Sequence, residues 1–574
     1  MQQLAPDLGQ PIELRVLTGP NLYFARPAVK LTLDAQGVLG AEPAAMVAWQ
    51  RALRVRNPTV GLPHSATRSL AAAELAAAVV RRAAGTISTR VAAVARPGDD
   101  DTVVVAFPFR HRGTAELFGM AVARAFAAIT SHGIDPIVAL GEVPAALAGH
   151  DPGETIRPLR PTIPVIAVTG TNGKTTTTRL IAHLVKAGGR TPGWSSTDGI
   201  FIDGEEVETG DWSGPGGAAR VLEDPRVQVA VTETARGGIL LRGVGTAVND
   251  VSVVTNISAD HLGLLGVHTV EQLAEVKSVV ARITKPNGWT VLNADDPLVR
   301  AMRSVSRARP WFYSPDPENP HLDEALEAGG RAITVLDGRI AILGRGNDPT
   351  IVIDVADVPL TLAGASRVNV SNVLAATAAA VAIGVPLDAV RKGLASFTAG
   401  AEHNAGRLNV YRLGSVAVLL DLAHNEASLA SLLEVAGALT LPGGDLAVVL
   451  GTAGDRTDEA IHAMGAMAAL AADRLVVAGR IKYLRGREPG EMEEIWRAGA
   501  AEAGVVTVDE SPDELAGLMQ LLDEAAPPLP DGSAVAVCAL ELRAEMALEI
   551  ERRGDAEMTA AEVAERVAHA QQRT

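Results

Sequence analysis

An unbroken apolar run, Pro164 to Val168, stops at a Gly-rich turn, Gly170 to Gly173. It gives way to a stretch that carries Leu180, Ile181, Leu184 and Val185 at helical spacing. The pattern predicts a buried strand, a tight loop and a helix opened by Lys174 and Thr175 and stopped at Gly188 and Gly189. Upstream, apolar and polar residues alternate over Ile12–Leu17 and Val29–Leu33, as half-buried strands do, with the turn residues Gly19-Pro20-Asn21 between them. Leu70–Ala84 is Ala-rich and helical, ended by Gly85; Thr102–Phe107 predicts a strand, and Thr114–Ile129 a helix with Gly113 before it. These elements describe a small N-terminal α+β domain over residues 1–160. A polar, Pro-punctuated linker closes it at Gly149–Glu154 and Arg157–Pro161.

From 161 to 403 strand and helix patterns alternate, the signature of a parallel sheet with crossover helices. Val227–Thr232 and Val251–Thr255 predict strands, a helix starts at Thr269, and Thr290–Leu292 is a short strand. Ala332–Leu343 predicts a hairpin turning at Asp337-Gly338, and Val370–Ile383 a helix. Residues 404–574 form a third unit. It has a hairpin, Arg407–Val410 with Val416–Leu420, around Gly414, and buried strands at Leu446–Leu450, Leu475–Val477 and Ala534–Cys538. A charged amphipathic tail helix, Arg543–His569, is expected to face solvent or pack at the edge. The fold class is therefore α/β: a small N-terminal α+β domain, a central phosphate-loop domain on a parallel sheet, and a Rossmann-like C-terminal α/β domain.

Composition narrows the picture. Of 574 residues 47% are apolar but only 3% aromatic, so the cores are aliphatic. The net charge of −16 argues against nucleic acid as a partner, since its binders carry basic footprints. Cys538 is the single cysteine, which excludes a disulfide framework or cysteine zinc site within the chain and suits a buried thiol. The first seven residues lack a signal-peptide pattern, and no apolar run reaches the roughly 18 residues of a membrane span. A soluble, cytoplasmic chain with no membrane partner is expected.

Strand, glycine loop, lysine, hydroxyl and helix make a phosphate cradle. The glycines of Gly170, Thr171, Asn172 and Gly173 let backbone N–H groups approach phosphate, and the helix N-terminus adds a positive dipole end. Lys174 would reach the terminal phosphates of a nucleotide, the Thr175 hydroxyl would ligate magnesium, and Thr176 would line the same site. In open α/β sheets ligands sit beyond the carboxyl ends of strands. Glu233 and His261 lie there. Glu233 suits magnesium, which takes oxygen ligands, or is a helix-capping or Arg236-paired surface carboxylate. His261, after Asp260, suits a second metal with a mixed shell or a structural role. His64, His111, His132 and His150 are scattered and form no constellation.

The loop departs from the common spacing, with Val168 where a further glycine is expected. The shorter Thr-Gly-Thr-Asn-Gly-Lys-Thr form resembles that of the Mur ligase superfamily, which includes the folylpolyglutamate synthases. Glu233, His261 and Lys277 follow in the order and spacing of that superfamily's first-magnesium glutamate, second-magnesium histidine and carbamylated lysine. Val368-Asn-Val-Ser-Asn372 resembles its adenine-contacting helix, with Asn369 and Asn372 matching and Val368 where histidine is common. Gly406-Arg407 resembles the stretch whose arginine reaches the nucleotide. Asp421-Leu-Ala-His-Asn425 resembles the one whose aspartate binds ribose, and Gly451 to Asp458, with Asp455 and Arg456, the one near the incoming substrate. Asn293-Ala-Asp-Asp296 is a marker without assigned chemistry. Glu233–Leu240, Asp260–Gly263, Val291–Pro297, and upstream Leu17–Asn21 and Val103–Phe126, are most similar to the cyanophycin synthetases. Those enzymes carry an ATP-grasp module between their N-terminal domain and ligase half, and only roughly forty residues are available for it here, far below a domain.

The resemblance implies an ATP-dependent amide ligase that uses ATP and two magnesium ions and joins an amino acid to a small-molecule or peptide carboxylate. Lys174, His261, Lys277 (as a carbamate) and Arg456 would act in catalysis, Arg456 on a substrate carboxylate. Thr175, Glu233 and His261 would hold metal, and Arg407, Asp421, Asn369 and Asn372 the nucleotide. Arginine is the amino acid that the resemblance favours, and it is compatible with a homo-oligomer. The competing readings are a cell-wall or folylpolyglutamate-type ligase, and a nucleotide-binding regulatory relative.

Overall fold

The computed structural model describes residues 9–479, 482–505, 508–524 and 527–571. The opening segment, read above for a signal peptide, falls largely in residues 1–8, outside the described residues. Three sheets organise the chain. No described helix is long and apolar enough to cross a membrane.

The first sheet has four antiparallel strands. Glu13–Leu17 pairs with Ala28–Asp34, which pairs with Thr102–Pro108, and Val94–Pro97, unforeseen in the sequence, adds the far edge. Two helices, Ala66–Thr86 and Arg112–Thr130, pack against it through alanine, valine, leucine and phenylalanine. Both run through the glycine expected at their ends: Gly85 and Gly113 lie inside, because backbone hydrogen bonds to Ala84 and Glu154 carbonyls place the true ends one or two residues out. Arg68 is fully buried in the first helix and donates to the carbonyls of Val38, Ala41, Val60 and Gly61. Four acceptors are what allow a guanidinium to sit there. The Thr18–Asn21 loop docks outward. Thr18 N–H donates to Arg242 O (2.8 Å), Val244 N–H to Pro20 O (2.7 Å), and Arg282 reaches the carbonyls of Asn21 and Leu22. A side chain at Gly19 would run into the Val244 carbonyl, which is why the turn carries none.

The second sheet has eleven strands. Its centre is parallel, as the alternation predicts: Pro192–Ser195, Val229–Glu233, Val165–Thr169, Asn249–Val254, Thr284–Asn293, Arg309–Tyr313 and Arg331–Leu336 lie side by side. Antiparallel strands flank both margins, Gly199–Ile202 with Glu205–Thr209 on one and Arg339–Leu343 with Thr350–Asp354 on the other, so the sheet is mixed. Asp337 and Gly338 both have positive φ, the left-handed pair that a tight two-residue hairpin needs. The strand expected at 290–292 is ten residues long, the extra length paired with Asn249 and Val251. Between Ile129 and Val165 lie only two short helices, Pro136–Gly141 and Val143–Ala146, and an extended crossing bridged at Thr155–His111 and Leu159–Thr246.

The third sheet has six strands. The hairpin strand Asn409–Leu413 is antiparallel, and Val416–Asp421, Ala534–Cys538, Leu446–Leu450, Arg474–Ala478 and Asp509–Ser511 are parallel. Arg407 precedes the first strand rather than joining it. The tail is two helices, Arg543–Arg552 and Ala560–Gln571, because Gly554 turns left-handed (φ +82°) and Glu557 bridges to Tyr411. Met546, Ile550, Val563 and Val567 are buried, so the tail packs on the sheet.

Candidate functional site

Register sets the site. Val168 lies beside Glu233 on one side, and Thr169 beside Val254 on the other. Gly170, Glu233 and Thr255 therefore leave the sheet together at its carboxyl edge. Gly170 has φ +146°, and a Cβ there would strike the Thr255 hydroxyl; Gly173 has φ +81°, and a Cβ would strike the Asn372 carboxamide. Gly173→Ala is thus expected to cost about 1–3 kcal/mol of stability and to weaken nucleotide binding, read by thermal denaturation and calorimetry. An unchanged melting curve would remove the steric argument.

The loop is tied to its neighbours at every residue. Thr171 N–H donates to Asn256 O (2.8 Å) and Asn172 N–H to Asn256 Oδ1 (2.9 Å). The Asn172 carbonyl accepts from the Thr255 hydroxyl (2.6 Å) and Asn256 Nδ2 (3.1 Å). Asp296 and Asn293 explain the marker sequence. Asp296 Oδ2 accepts from Ile257 N–H (2.6 Å), Asp296 Oδ1 caps the following helix, and Asn293 Nδ2 donates to Thr255 O (2.9 Å), so the pair pins the 255–257 segment behind the loop.

Lys174 opens the helix Lys174–Ala187 and donates to Thr171 O (2.7 Å). The Thr175 hydroxyl donates to Glu233 Oε2 (2.9 Å), and Glu233 Oε1 is buried with no partner. A buried carboxylate oxygen left without a hydrogen bond is costly unless a cation takes it. Thr175 and Glu233 therefore fit a magnesium ion. Lys277, in the helix Val270–Arg282 that Thr269 and Gln272 cap, is buried behind the loop and donates to Gly170 O. Burial, reinforced by the nearby Lys174 charge, pushes its amine well below the usual lysine range.

His261 lies on the loop after Asn249–Val254 with φ +51°. Its carbonyl accepts from Arg236 (2.6 Å), and its Nδ1 faces Arg456 (3.0 Å) and Asp455 (3.1 Å) of the third unit. Arg456 is almost fully buried. It pairs with Asp260 (3.2 Å) and Asp455 (3.0 Å) and donates through Nε to His424 O (3.0 Å). Burial opposes ionisation of Asp260, but Arg456, His261, His424 and Lys174 together hold it below the usual range. Burial pushes His424 down to about 4, so its ring is neutral, with Nδ1 bonded to Leu422 O. Among the described residues no three His, Cys, Asp or Glu side chains converge as a complete metal shell.

A cavity of about 240 Å³ lies between the loop and the third sheet. Asn369 and Asn372, on the helix Arg367–Ala382, bond to each other (3.1 Å), and Asn372 accepts from the Thr177 hydroxyl (3.3 Å); Val368 lines the same space. Arg407 approaches the Thr175 hydroxyl (3.5 Å). Asp421 ends its strand beside Cys538, accepts from Leu408 N–H (2.9 Å), and is raised by burial to about 6 although Arg407 opposes the shift. Sequence reasoning gave no role to Asn256 or to Asn425, which caps the helix Glu426–Leu439 and exchanges two carboxamide hydrogen bonds with Asn172 (3.2 and 3.1 Å). That pair joins the phosphate loop to the third unit across 253 positions.

Residues 168–380 match the Mur ligase middle domain, and residues 406–539 the Mur ligase, glutamate ligase domain. The cyanophycin synthetase of Synechocystis sp. is 42% identical over 333 residues, 58% of this chain and 38% of that one. The UDP-N-acetylmuramoylalanine–D-glutamate ligase of Symbiobacterium thermophilum is 33% identical over 290 residues, 50% of this chain and 54% of that one. The chain thus spans about two fifths of the length of the cyanophycin synthetases that it matches. A solved bifunctional folylpolyglutamate synthase/dihydrofolate synthase with Mn, AMPPNP and L-glutamate bound shares the fold. Its TM-score is 0.50 at 19% identity, over 68% of this chain and 91% of that one.

Proposed function

The chain carries the middle and C-terminal domains of the Mur ligases, and on that premise we propose that it is an ATP-dependent ligase joining an amino acid to a substrate carboxylate. The observation that carries the reading is the Thr175–Glu233 hydrogen bond beside the glycine loop, with one carboxylate oxygen left over. A protein that only bound nucleotide with its magnesium could use that oxygen too, but would not need Lys277 buried behind the same loop.

In this reading the acceptor carboxylate attacks the γ-phosphorus of ATP, the bond to the β-phosphate oxygen breaks, and an acyl phosphate and ADP result. The amine then attacks the acyl carbon, the C–O bond to phosphate breaks, and phosphate leaves with the amide formed and a proton released. The chain's residues position and balance charge. Lys174 turns from Thr171 O to the terminal phosphates. Thr175 and Glu233 would hold one magnesium ion and His261 would help hold a second, and those ions would supply charge neutralisation at the transferring phosphoryl group. Lys277, whose amine form is favoured by burial, would add to carbon dioxide and release a proton, and the oxygens of the resulting carbamate would help hold the second ion. The relative with Mn and AMPPNP bound supports a nucleotide and divalent metal here. Arg456 would exchange one of its aspartates for a substrate carboxylate, to which its planar fork is suited. Gly170 to Thr176, Asn369, Asn372, Arg407 and Asp421 form the nucleotide site, and the cytoplasm, where ATP is held, is the proposed compartment. The domain limits 1–160, 161–403 and 404–574 are proposed with it.

The test is phosphate release from ATP with each amino acid, arginine included, against a panel of carboxylates that includes β-aspartyl peptides. If no pair stimulates release above a Lys174→Ala control, the ligase reading fails. Asp421 supplies a pH test. If its carboxylate accepts from ribose hydroxyls, ATP affinity falls as pH drops through about 6 and the group protonates. Fold stability moves the other way: the folded state takes up this proton near 6, above the ordinary 3.8, so stability from this group is gained as pH falls through that window. Calorimetry at pH 7.5 and 5.5 reads the first effect, which Asp421→Asn should flatten. An affinity equally pH-dependent in that variant would take the ribose contact from Asp421.

A further inference from the structure

Two of the loop's N–H groups are spent before any phosphate arrives. That of Thr171 donates to Asn256 O (2.8 Å) and that of Asn172 to Asn256 Oδ1 (2.9 Å), while Asn256 Nδ2 returns to the Asn172 carbonyl (3.1 Å). The Asn256 carboxamide thus clamps the Asn172 main chain at both its N–H and its C=O. What Asn172 has left is its side chain, and that goes to the third unit. Its Nδ2 donates to Asn425 Oδ1 (3.2 Å) and its Oδ1 accepts from Asn425 Nδ2 (3.1 Å). The Asn172 carboxamide has no other hydrogen-bond partner among the described residues. Asn425 is buried, and the same Oδ1 accepts from Ser428 N–H (2.9 Å), which caps the helix Glu426–Leu439 and fixes the carboxamide's direction.

Other polar contacts join the same two surfaces: Arg456 with Asp260 (3.2 Å) and His261 (3.0 Å), and Arg407 with the Thr175 hydroxyl (3.5 Å). The proposed reaction takes those side chains for metal, nucleotide or substrate, so those contacts are remade during turnover. The asparagine pair is claimed by nothing and carries no charge. An ion pair beside the loop would be disturbed by an arriving triphosphate, which repels an acid and captures a base. Two carboxamides that satisfy each other's donors and acceptors are indifferent to that charge. Asn172 lines the nucleotide cavity, as do His424 and Ala427 near Asn425 in the chain. We infer that Asn172 is a positioning residue and not a phosphate ligand: paired with Asn425, it seats the third unit on the phosphate loop and so brings Arg407, Asp421 and Arg456 to the nucleotide. That the nucleotide is ATP rests on the ligase reading; the pair itself does not.

The test is a double-mutant cycle on the full chain: calorimetric binding of Mg·AMPPNP by wild type, Asn172→Ala, Asn425→Ser and the double variant. Serine keeps the helix cap through its hydroxyl but is too short to reach Asn172, and Asn172→Ala leaves the backbone bonds to Asn256 in place. Melting temperatures should therefore stay within about 2 °C of wild type. Each single variant is expected to weaken AMPPNP about tenfold, and the double variant no further, because either change removes the same pair. Small-angle scattering of the nucleotide-free proteins should give all three variants a larger radius of gyration than wild type, as the third unit loses its seat. A loss for Asn172→Ala with none for Asn425→Ser, or losses that multiply in the double variant, makes Asn172 a phosphate ligand acting alone and overturns the proposal. So does wild-type affinity in both single variants, or a radius of gyration that does not move. None of these readouts needs turnover, so a failure to find a stimulating substrate pair would sink the ligase reading and leave this one to be judged separately.

Discussion

Lys174→Ala is expected to lower phosphate release by about a hundred- to a thousandfold, the scale seen when one preorganised charge partner of a transition state is lost. The prediction rests on how little else this side chain does. Its amine makes one hydrogen bond, to Thr171 O at 2.7 Å, and is half-exposed, so its removal empties no core. The melting temperature should move by no more than about 1–2 °C. The loss should fall on kcat more than on ATP affinity, because the backbone N–H groups at the start of the helix, from Gly173 to Thr176, remain to hold the phosphates. Lys174→Arg should rescue little, since a planar fork cannot replace a compact ammonium in a turn this tight. The charge has a second effect. It is the strongest charge effect lowering the Lys277 amine, so its removal makes Lys277 more basic and less able to react with carbon dioxide. A variant with full activity, or one whose loss is matched by unfolding, would withdraw Lys174 from the chemistry.

What was legible in the sequence was what is local or periodic. The strand, loop and helix around Lys174 stand where the apolar run and glycines place them, and Ala534–Cys538 matches to the residue. The edges of the large sheet were not legible, because the hairpin strands at 199–209 and 350–354 are short and partly polar. Their pairing is decided by neighbours far along the chain. The tail was misread for the opposite reason: its amphipathic period is real, but one left-handed glycine, Gly554, breaks the helix in two. In the candidate site, resemblance to the Mur ligases suggested Glu233, His261 and Lys277, but not that Lys277 is buried or that its partner is a loop carbonyl. The Asn172–Asn425 exchange and the Arg456–His261 contact join residues roughly two hundred positions apart or more. Nothing in the local pattern of an asparagine or an arginine announces such a partner. The unassigned Asn293–Asp296 marker was visible as a string, and its work, holding the segment behind the loop, appeared only with the register of strands 249–254 and 284–293.

Lys277→Ala is expected to cost roughly a hundredfold or more in rate, and the informative result is what restores it. A lysine kept as a cation would be placed poorly here, since burial and Lys174 both disfavour its charge. A lysine kept as an amine has one visible task, the hydrogen bond to Gly170 O, and a glutamine could take that over. A lysine kept for its carbamate has a third: two oxygens delivered beside the loop. Lys277→Gln and Lys277→Ala separate these. If the hydrogen bond is what matters, Lys277→Gln retains activity. If the carbamate matters, Lys277→Gln is as slow as Lys277→Ala, and only the alanine variant, with space left where the side chain stood, recovers in formate, acetate or propionate. The wild-type enzyme should then slow in carbon-dioxide-depleted buffer and recover on addition of bicarbonate, while both variants ignore it. Stability need not follow activity, because the alanine variant leaves the space of three methylenes and an amine but also removes a group that is costly to desolvate. An alanine variant at wild-type rate would end the carbamate reading. One that stays slow in every carboxylate, alongside a wild type indifferent to bicarbonate, would end it equally and leave Lys277 as a support of the Gly170 carbonyl.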